Sequence, residues 1–277
     1  MTIAIGLLTC EGIILGADST LTVSIPNQQG GRDVAQLFNS NQKIYEIGPK
    51  AEFFHPGRQF SGGFATWGDG SFGPISWHDL VNEFYCGYEE TMQSSDNVAE
   101  KFHDFAKRKW SELQASGAVP TGTCGPKAGA FVAAVAKGAC RPHGSSLNLG
   151  LGQTAALPRG ELLIGGDVTT VYRIINGFDP ELEKDLLNSG VDPLLFKNCA
   201  NKFSIASFTE HMPLRDAVDY VHFLIYSTIK MHRYKGSKAL VGGAIEIAVI
   251  TGDRGFRWIL HKSLSDSIEA TRPHFPL

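Results

Sequence analysis

Apolar runs separated by short polar breaks open the chain and predict a strand hairpin: Ile3 to Leu8, a turn at Thr9-Cys10-Glu11-Gly12, then Ile13 to Asp18. The chain is thus expected to begin inside its sheet, without a free arm. From Thr20 to Asn41 the pattern becomes polar and turn-prone around Pro26-Asn27-Gln28-Gln29-Gly30-Gly31. Strand alternation resumes at Lys43-Ile44-Tyr45-Glu46-Ile47 and stops at Gly48-Pro49. The period then lengthens. Ser76 and Asp79 stand at capping-box spacing ahead of Trp77, Leu80, Val81, Phe84, Tyr85 and Tyr88 on one helical face. A second helix after Asp96 carries Val98, Phe102, Phe105, Ala106, Trp110 and Leu113 at the same period. Strands follow at Ala128 to Ala136, near Leu147 to Leu151, and at Leu162-Leu163-Ile164 before Gly165-Gly166. A short helix from Val168 to Ile175 ends near Gly177, and Pro180 opens another with Glu181 and Glu183 in its first turn. A longer helix with Pro213 as its first residue runs through Leu214, Ala217, Val221, Leu224, Ile225 and Thr228 toward Gly236. Strands from Leu240 to Ile250 and from Phe256 to Leu260 flank a turn at Thr251-Gly252-Asp253-Arg254-Gly255.

Runs of strands and runs of helices, rather than regular strand-helix alternation, favour an α+β layered fold over a doubly wound parallel sheet. No internal repeat or composition break divides the chain, so residues 1–277 are read as a single domain. Composition sharpens this picture in a few places. Hydrophobic residues make up 43% of the chain and charged ones 19%, with a formal net charge of −3, which argues against disorder and against a nucleic-acid partner. The longest apolar stretch, Ala128 to Ala136, falls well short of the roughly 20 residues of a spanning helix, so no membrane association is expected. Met1 to Gly6 carry no basic n-region, and a cytoplasmic address follows by default. The 5 cysteines are scattered without a C-x-x-C pair and read as reduced thiols. The histidines never stand at H-x-x-x-H spacing, and Gly150, Gly152 and Gly160 form no dinucleotide or phosphate loop, so neither metal nor cofactor is expected. Lys101, Lys107, Arg108 and Lys109 interleave with Glu100, Asp104 and Glu112 as a solvated helix face.

Thr2, followed by Glu11-Gly12-Ile13-Ile14-Leu15-Gly16-Ala17-Asp18-Ser19, resembles the opening of proteasome β subunits and of the bacterial HslV-type peptidases, members of the N-terminal-nucleophile hydrolases. In that family a threonine starts the first strand and an aspartate follows sixteen residues later, the spacing of Thr2 and Asp18. Gln42-Lys43-Ile44-Tyr45-Glu46-Ile47 is similar to the family's lysine strand, and Phe60-Ser61-Gly62-Gly63-Phe64 to its small-Gly-Gly turn before the first helix. Val241-Gly242-Gly243-Ala244-Ile245-Glu246-Ile247 resembles the Gly-Gly strand after the last long helix. The resemblance spans about residues 2–262 and leaves 263–277 as a C-terminal extension. It implies a four-layer αββα sandwich of two antiparallel sheets between helical layers, a homo-oligomeric ring, a peptide or protein substrate, and an ATP-dependent unfoldase as a possible partner.

The chemistry implied is that of a threonine peptidase. Once Met1 is removed, the Thr2 hydroxyl attacks a carbonyl while its own α-amine, with an ordinary pKa of about 7.7 to 8.0, takes the proton. The resemblance assigns Lys43 as the cation beside that hydroxyl, Asp18 as its partner, and the Gly62 N–H as the oxyanion donor. Phe60 and Phe64 would make the first substrate pocket apolar. The chain departs from the family at three support positions. Ile164-Gly165-Gly166-Asp167 has glycine where a serine is usual, and Lys238 and Val241 replace an aspartate and a serine. Two alternatives therefore stand beside the peptidase: a catalytically inactive ring-forming scaffold subunit, and an amidase acting on a small non-peptide substrate.

Overall fold

Every residue of Ile3–Leu8 (β1) and Ile13–Ala17 (β2) is buried, which demands cover on both faces of their sheet. A computed structural model, describing residues 2–26, 32–47, 60–88, 98–122, 125–150, 153–157, 159–203, 209–235 and 240–262, provides that cover in layers. β1 and β2 lie inside a five-stranded antiparallel sheet of order β10-β1-β2-β11-β12, completed by Leu162–Gly166 (β10), Glu246–Thr251 (β11) and Gly255–Leu260 (β12). A second five-stranded antiparallel sheet has the order β5-β6-β7-β8-β9, from Ile44–Ile47 (β5), Phe60–Gly68 (β6), Ala128–Ala136 (β7), His143–Asn148 (β8) and Gln153–Ala156 (β9). Leu21–Pro26 (β3) and Arg32–Phe38 (β4) pair only with each other.

Three apolar layers hold the stack together. Trp77–Tyr88 (α1) and Val98–Ala115 (α2) pack Trp77, Phe84 and Phe102 against Phe60 and Phe64 on the outer face of the second sheet. Between the sheets lie Ala4, Leu15, Ile44, Ala65, Phe131 and Phe256. On the outer face of the first sheet, Leu214–Tyr234 (α6) lays Ala217, Val221, Leu224 and Ile225 over Ile3, Ile5 and Ile14. Each fully buried Val, Leu, Ile or Phe among them contributes about 1.5–3 kcal/mol. The result is the expected α+β four-layer αββα sandwich. Thr169–Asn176 (α3) packs beside α6 through Val171. The expected cap is present, Ser76 Oγ accepting the Asp79 N–H at 3.0 Å, and Asp179, which the sequence reading did not single out, accepts the Leu182 N–H at 2.9 Å ahead of Pro180–Asn188 (α4).

Several elements differ from the sequence reading. The polar stretch after Thr20 contains the β3–β4 hairpin, whose Val23, Ile25 and Phe38 remain exposed. Pro193–Phe203 (α5) is an additional helix with Leu194 and Leu195 turned to solvent. Phe60 to Phe64 are the first part of strand β6 rather than a turn. The last sheet segment starts at Glu246, because Gly243 takes a left-handed φ of +75° and fits against the Asn39 carbonyl. Met1, Gly48, Pro49, Asp96, Gly236, Lys238 and the extension 263–277 lie outside the described residues.

One contact sets the spacing of the two sheets near the end of β6. Trp67 rests against Phe131 with ring centroids 4.4 Å apart. A Cβ on Gly129 of its own sheet or on Gly165 of the facing sheet would stand 2.2 Å from the indole. Gly165→Val is expected to destabilise the fold by about 1–3 kcal/mol, the usual cost of overpacking, measured by urea denaturation. Unchanged stability would contradict this sheet-to-sheet contact.

Candidate active site

β2 ends where its ladder with β1 closes, and the next residue is Asp18, with no exposed surface. Its N–H reaches the Ile3 carbonyl at 3.2 Å while its own Oδ1 accepts the Ile3 N–H at 3.0 Å. Oδ1 also accepts from Lys43 Nζ at 2.5 Å. The other oxygen, Oδ2, accepts the N–H groups of Thr20 at 3.1 Å and Gly242 at 3.0 Å. Four donors from four chain segments thus meet on one carboxylate. Lys43 immediately precedes β5 in the other sheet, and its carbonyl accepts the Thr66 N–H at 2.9 Å. The Lys43 ammonium is held below its ordinary 10.5 by burial first; Asp18 opposes that shift, and the nearby Lys262 adds to it. A buried lysine–carboxylate pair is an expensive arrangement, weak as a stabiliser and costly to break.

Thr2 stands one residue before β1 and is almost fully buried. Its carbonyl accepts the Asp167 N–H at 2.7 Å. Gly166 sits between, with φ of +88°, and a Cβ there would lie 1.8 Å from the Thr2 oxygen. The position where the resemblance leads one to expect a serine can therefore hold only glycine in this backbone. Asp167 is committed elsewhere: one oxygen pairs with His232 Nε2 of α6 at 2.6 Å, and the other accepts the Thr169 N–H at 3.1 Å. Val241 is buried in the apolar layer under α6. Lys238 is among the residues not described.

Thr2 and Lys43 line one small depression, together with Thr20, Asn41, Thr66 and Gly68. The structure brings Thr2, Asp18 and Lys43 together and leaves Gly62, Phe60 and Phe64 elsewhere. Strand alternation explains Gly62. Thr66 donates to Lys43 on the β5 side and Asp69 donates to Lys127 on the β7 side at 3.2 Å, so even-numbered amides of β6 face β5. The Gly62 amide therefore faces Ile47, its partner in β5. Gly62 is also four residues from Thr66, about 13 Å along the strand. Gly68 follows the same alternation but lies past the end of β5, and it borders the depression itself. Its φ of +91° and the Lys127 carbonyl 2.2 Å from where a Cβ would stand keep this position glycine. Phe60 and Phe64 turn into the layer beneath α1 and α2. Among the described residues no group of three or more His, Cys, Asp or Glu could hold a metal ion. No described helix is long and apolar enough to cross a membrane.

Sequence reasoning passed over Gly68, Glu246 and Lys262. Glu246 has no exposed surface; its Oε2 lies 3.4 Å from the Lys43 N–H and its Oε1 3.1 Å from His261 Nδ1. The available signal was a single acid inside the apolar run Ile245-Glu246-Ile247. Trp67-Gly68-Asp69-Gly70 reads in sequence as an ordinary turn, which hid the glycine beside the depression.

No family model matches the chain, and no curated protein matches it. Solved structures match in fold. Anbu (ancestral β-subunit) from Yersinia bercovieri aligns over 100% of both chains with a TM-score of 0.53 at 12% identity. The Gly-1 mutant of Anbu from Hyphomicrobium sp. strain MC1 aligns over 100% of both with a TM-score of 0.54 at 13% identity. The Anbu complex from Pseudomonas aeruginosa, solved as a helical assembly, covers 97% of this chain and 90% of its own with a TM-score of 0.50 at 13% identity. Likeness at these identities is one of fold. It corrects the resemblance to proteasome β subunits and HslV-type peptidases, since the matching structures are Anbu proteins, a distinct family related to those two.

Burial of Lys43 has a consequence for stability. Its folded-state value lies below 10.5, so between that value and 10.5 the unfolded chain binds the proton more tightly. Relative to Lys43→Met, the stability of the wild-type chain should therefore rise as pH climbs toward 10.5. Urea denaturation across that range checks the sign, and a relative fall would contradict the burial of a charged lysine.

Proposed function

We propose that the chain is a threonine-nucleophile amide hydrolase acting on peptides, with Thr2 as its nucleophile. The observation that supports this most strongly is the buried Lys43–Asp18 pair, whose lysine lines the same depression as Thr2. Removal of Met1 and anything ahead of it frees the Thr2 α-amine. The hydroxyl oxygen then bonds to the substrate carbonyl carbon and its proton passes to the α-amine. Lys43 favours the neutral amine and stabilises the developing alkoxide, and Asp18 holds Lys43 in place. The Gly68 N–H is the donor we assign to the tetrahedral oxyanion. Collapse expels the leaving amine with that proton and leaves an ester on Thr2, which water hydrolyses to regenerate the hydroxyl. The peptide would enter as an extended chain, and an ATP-dependent unfoldase is the partner we propose for folded substrates. By analogy with the helical assembly of the Anbu complex, copies of this chain are proposed to associate.

A catalytically silent, assembly-forming subunit is the second reading. It gains from the glycine at 166, which leaves the Thr2 end without a hydroxyl at that place, and from Asp167 being committed to His232 and Thr169.

Treatment with a β-lactone followed by intact-mass measurement separates the two. The hydrolase reading predicts loss of Met1 and one adduct per chain, absent in Thr2→Ala, with Lys43→Ala slowing adduct formation by at least about a hundredfold. A retained Met1 without adduct would establish the silent subunit instead.

A further inference from the structure

The Thr2 site has a second lysine. Lys262 follows β12 and its side chain is only 17% exposed. Its Nζ donates to the Asn41 carbonyl at 2.7 Å and to Ser19 Oγ at 3.2 Å, and lies 3.4 Å from Glu246 Oε1. Ser19 adjoins Asp18, and Asn41 lies two residues before Lys43 and lines the depression. The two segments already meet through the Asn41 N–H and the Ser19 carbonyl at 2.9 Å, and Lys262 crosses that junction. Glu246 lies between the lysines, with one oxygen toward the Lys43 N–H and the other toward Lys262 and His261.

We propose that Lys262, held by buried Glu246, is a positioning residue of the Thr2 site that fixes Asp18 and Lys43 relative to each other and supplies the second cation of a four-charge cluster. The proposal rests on the hydrolase reading for its catalytic consequence but not for its test. Three facts support it. The contacts of Lys262 fall on the neighbours of both members of the pair. The cluster of two lysines and two carboxylates crosses from one sheet to the other, where apolar side chains would pack at lower cost. The burial of Glu246 makes sense only with its cationic partners in place. The charged and titratable groups around Lys43 are Asp18 after β2, Glu246 on β11, Lys262 after β12, His261 through Glu246, Asp69 on the depression wall, and the Thr2 amine once freed. Of these, Lys262 pushes the Lys43 proton off while Asp18 and Glu246 hold it on.

Opposite signs make the test specific. The Lys43 side-chain carbon signal, assigned by its loss in Lys43→Arg, is titrated by NMR in the full chain. In Lys262→Met its midpoint should move up on the order of one pH unit, the size a neighbouring charge produces at a buried site. In Glu246→Gln it should move down, and in Lys262→Arg it should stay at the wild-type value. Absence of movement in both of the first two variants, or movement in the same direction, would overturn the proposal. Should Lys262→Met not fold, a downward shift in Glu246→Gln with a wild-type value in Lys262→Arg supports it, and any other pair of values overturns it. Because the midpoint is read without any substrate, a silent Thr2 would leave this result intact. If Thr2 is reactive, the alkaline limb of β-lactone acylation should follow the same two opposite shifts.

Discussion

Everything at the candidate site depends on the Asp18 carboxylate. It stands at the end of a central strand of one sheet, has no solvent contact, and accepts from Ile3, Thr20, Gly242 and Lys43. Lys43 comes from the opposite sheet, so this one ion pair ties the two sheets at the end of β1 that Thr2 precedes. The backbone donors offset the cost of burying the carboxylate. The same bonds hold the start of β1, the turn after β2 and the Gly242–Gly243 segment at a common point.

The Thr2 end is built by exclusion of side chains. Gly166 leaves room for the Thr2 carbonyl, and the Asp167 amide bonds it. Asp167 then turns its carboxylate to His232, so α6 is connected to the same strand end that carries Thr2. A serine at 166 would be incompatible with this close approach. The departure from the proteasome-like pattern is therefore part of a consistent local arrangement. The Lys43–Asp18 pair, with the Lys262–Glu246 contacts behind it, lies beside that end as well.

The layered fold was legible because the periodicities were clear. The buried runs Ile3 to Leu8 and Ile13 to Ala17, the faces of α1, α2 and α6, and the cap at Ser76 all follow from local pattern. What escaped reading lacked such a pattern. β3, β4 and α5 bury little, so Ile25, Phe38, Leu194 and Leu195 give no inward face to detect. Ser61-Gly62-Gly63 looks like a turn, yet in β6 a Cβ on Gly62 would meet the Ala133 carbonyl at 2.7 Å, a close approach between neighbouring strands. At the site, Thr2, Asp18 and Lys43 were picked out by the resemblance of their segments to proteasome-like chains. Gly68, Glu246 and Lys262 were not, because their roles come from strand register and from contacts across about 200 residues of chain, as in Lys43 to Glu246.

The central claim is that Asp18 and Lys43 act on Thr2 as one unit. A double-mutant cycle on the rate of Thr2 acylation, comparing Asp18→Asn, Lys43→Met and the combined variant with the wild-type chain, tests it most directly. The account predicts that the combined variant is no slower than the slower single one. Multiplication of the two single losses in the combined variant would contradict it.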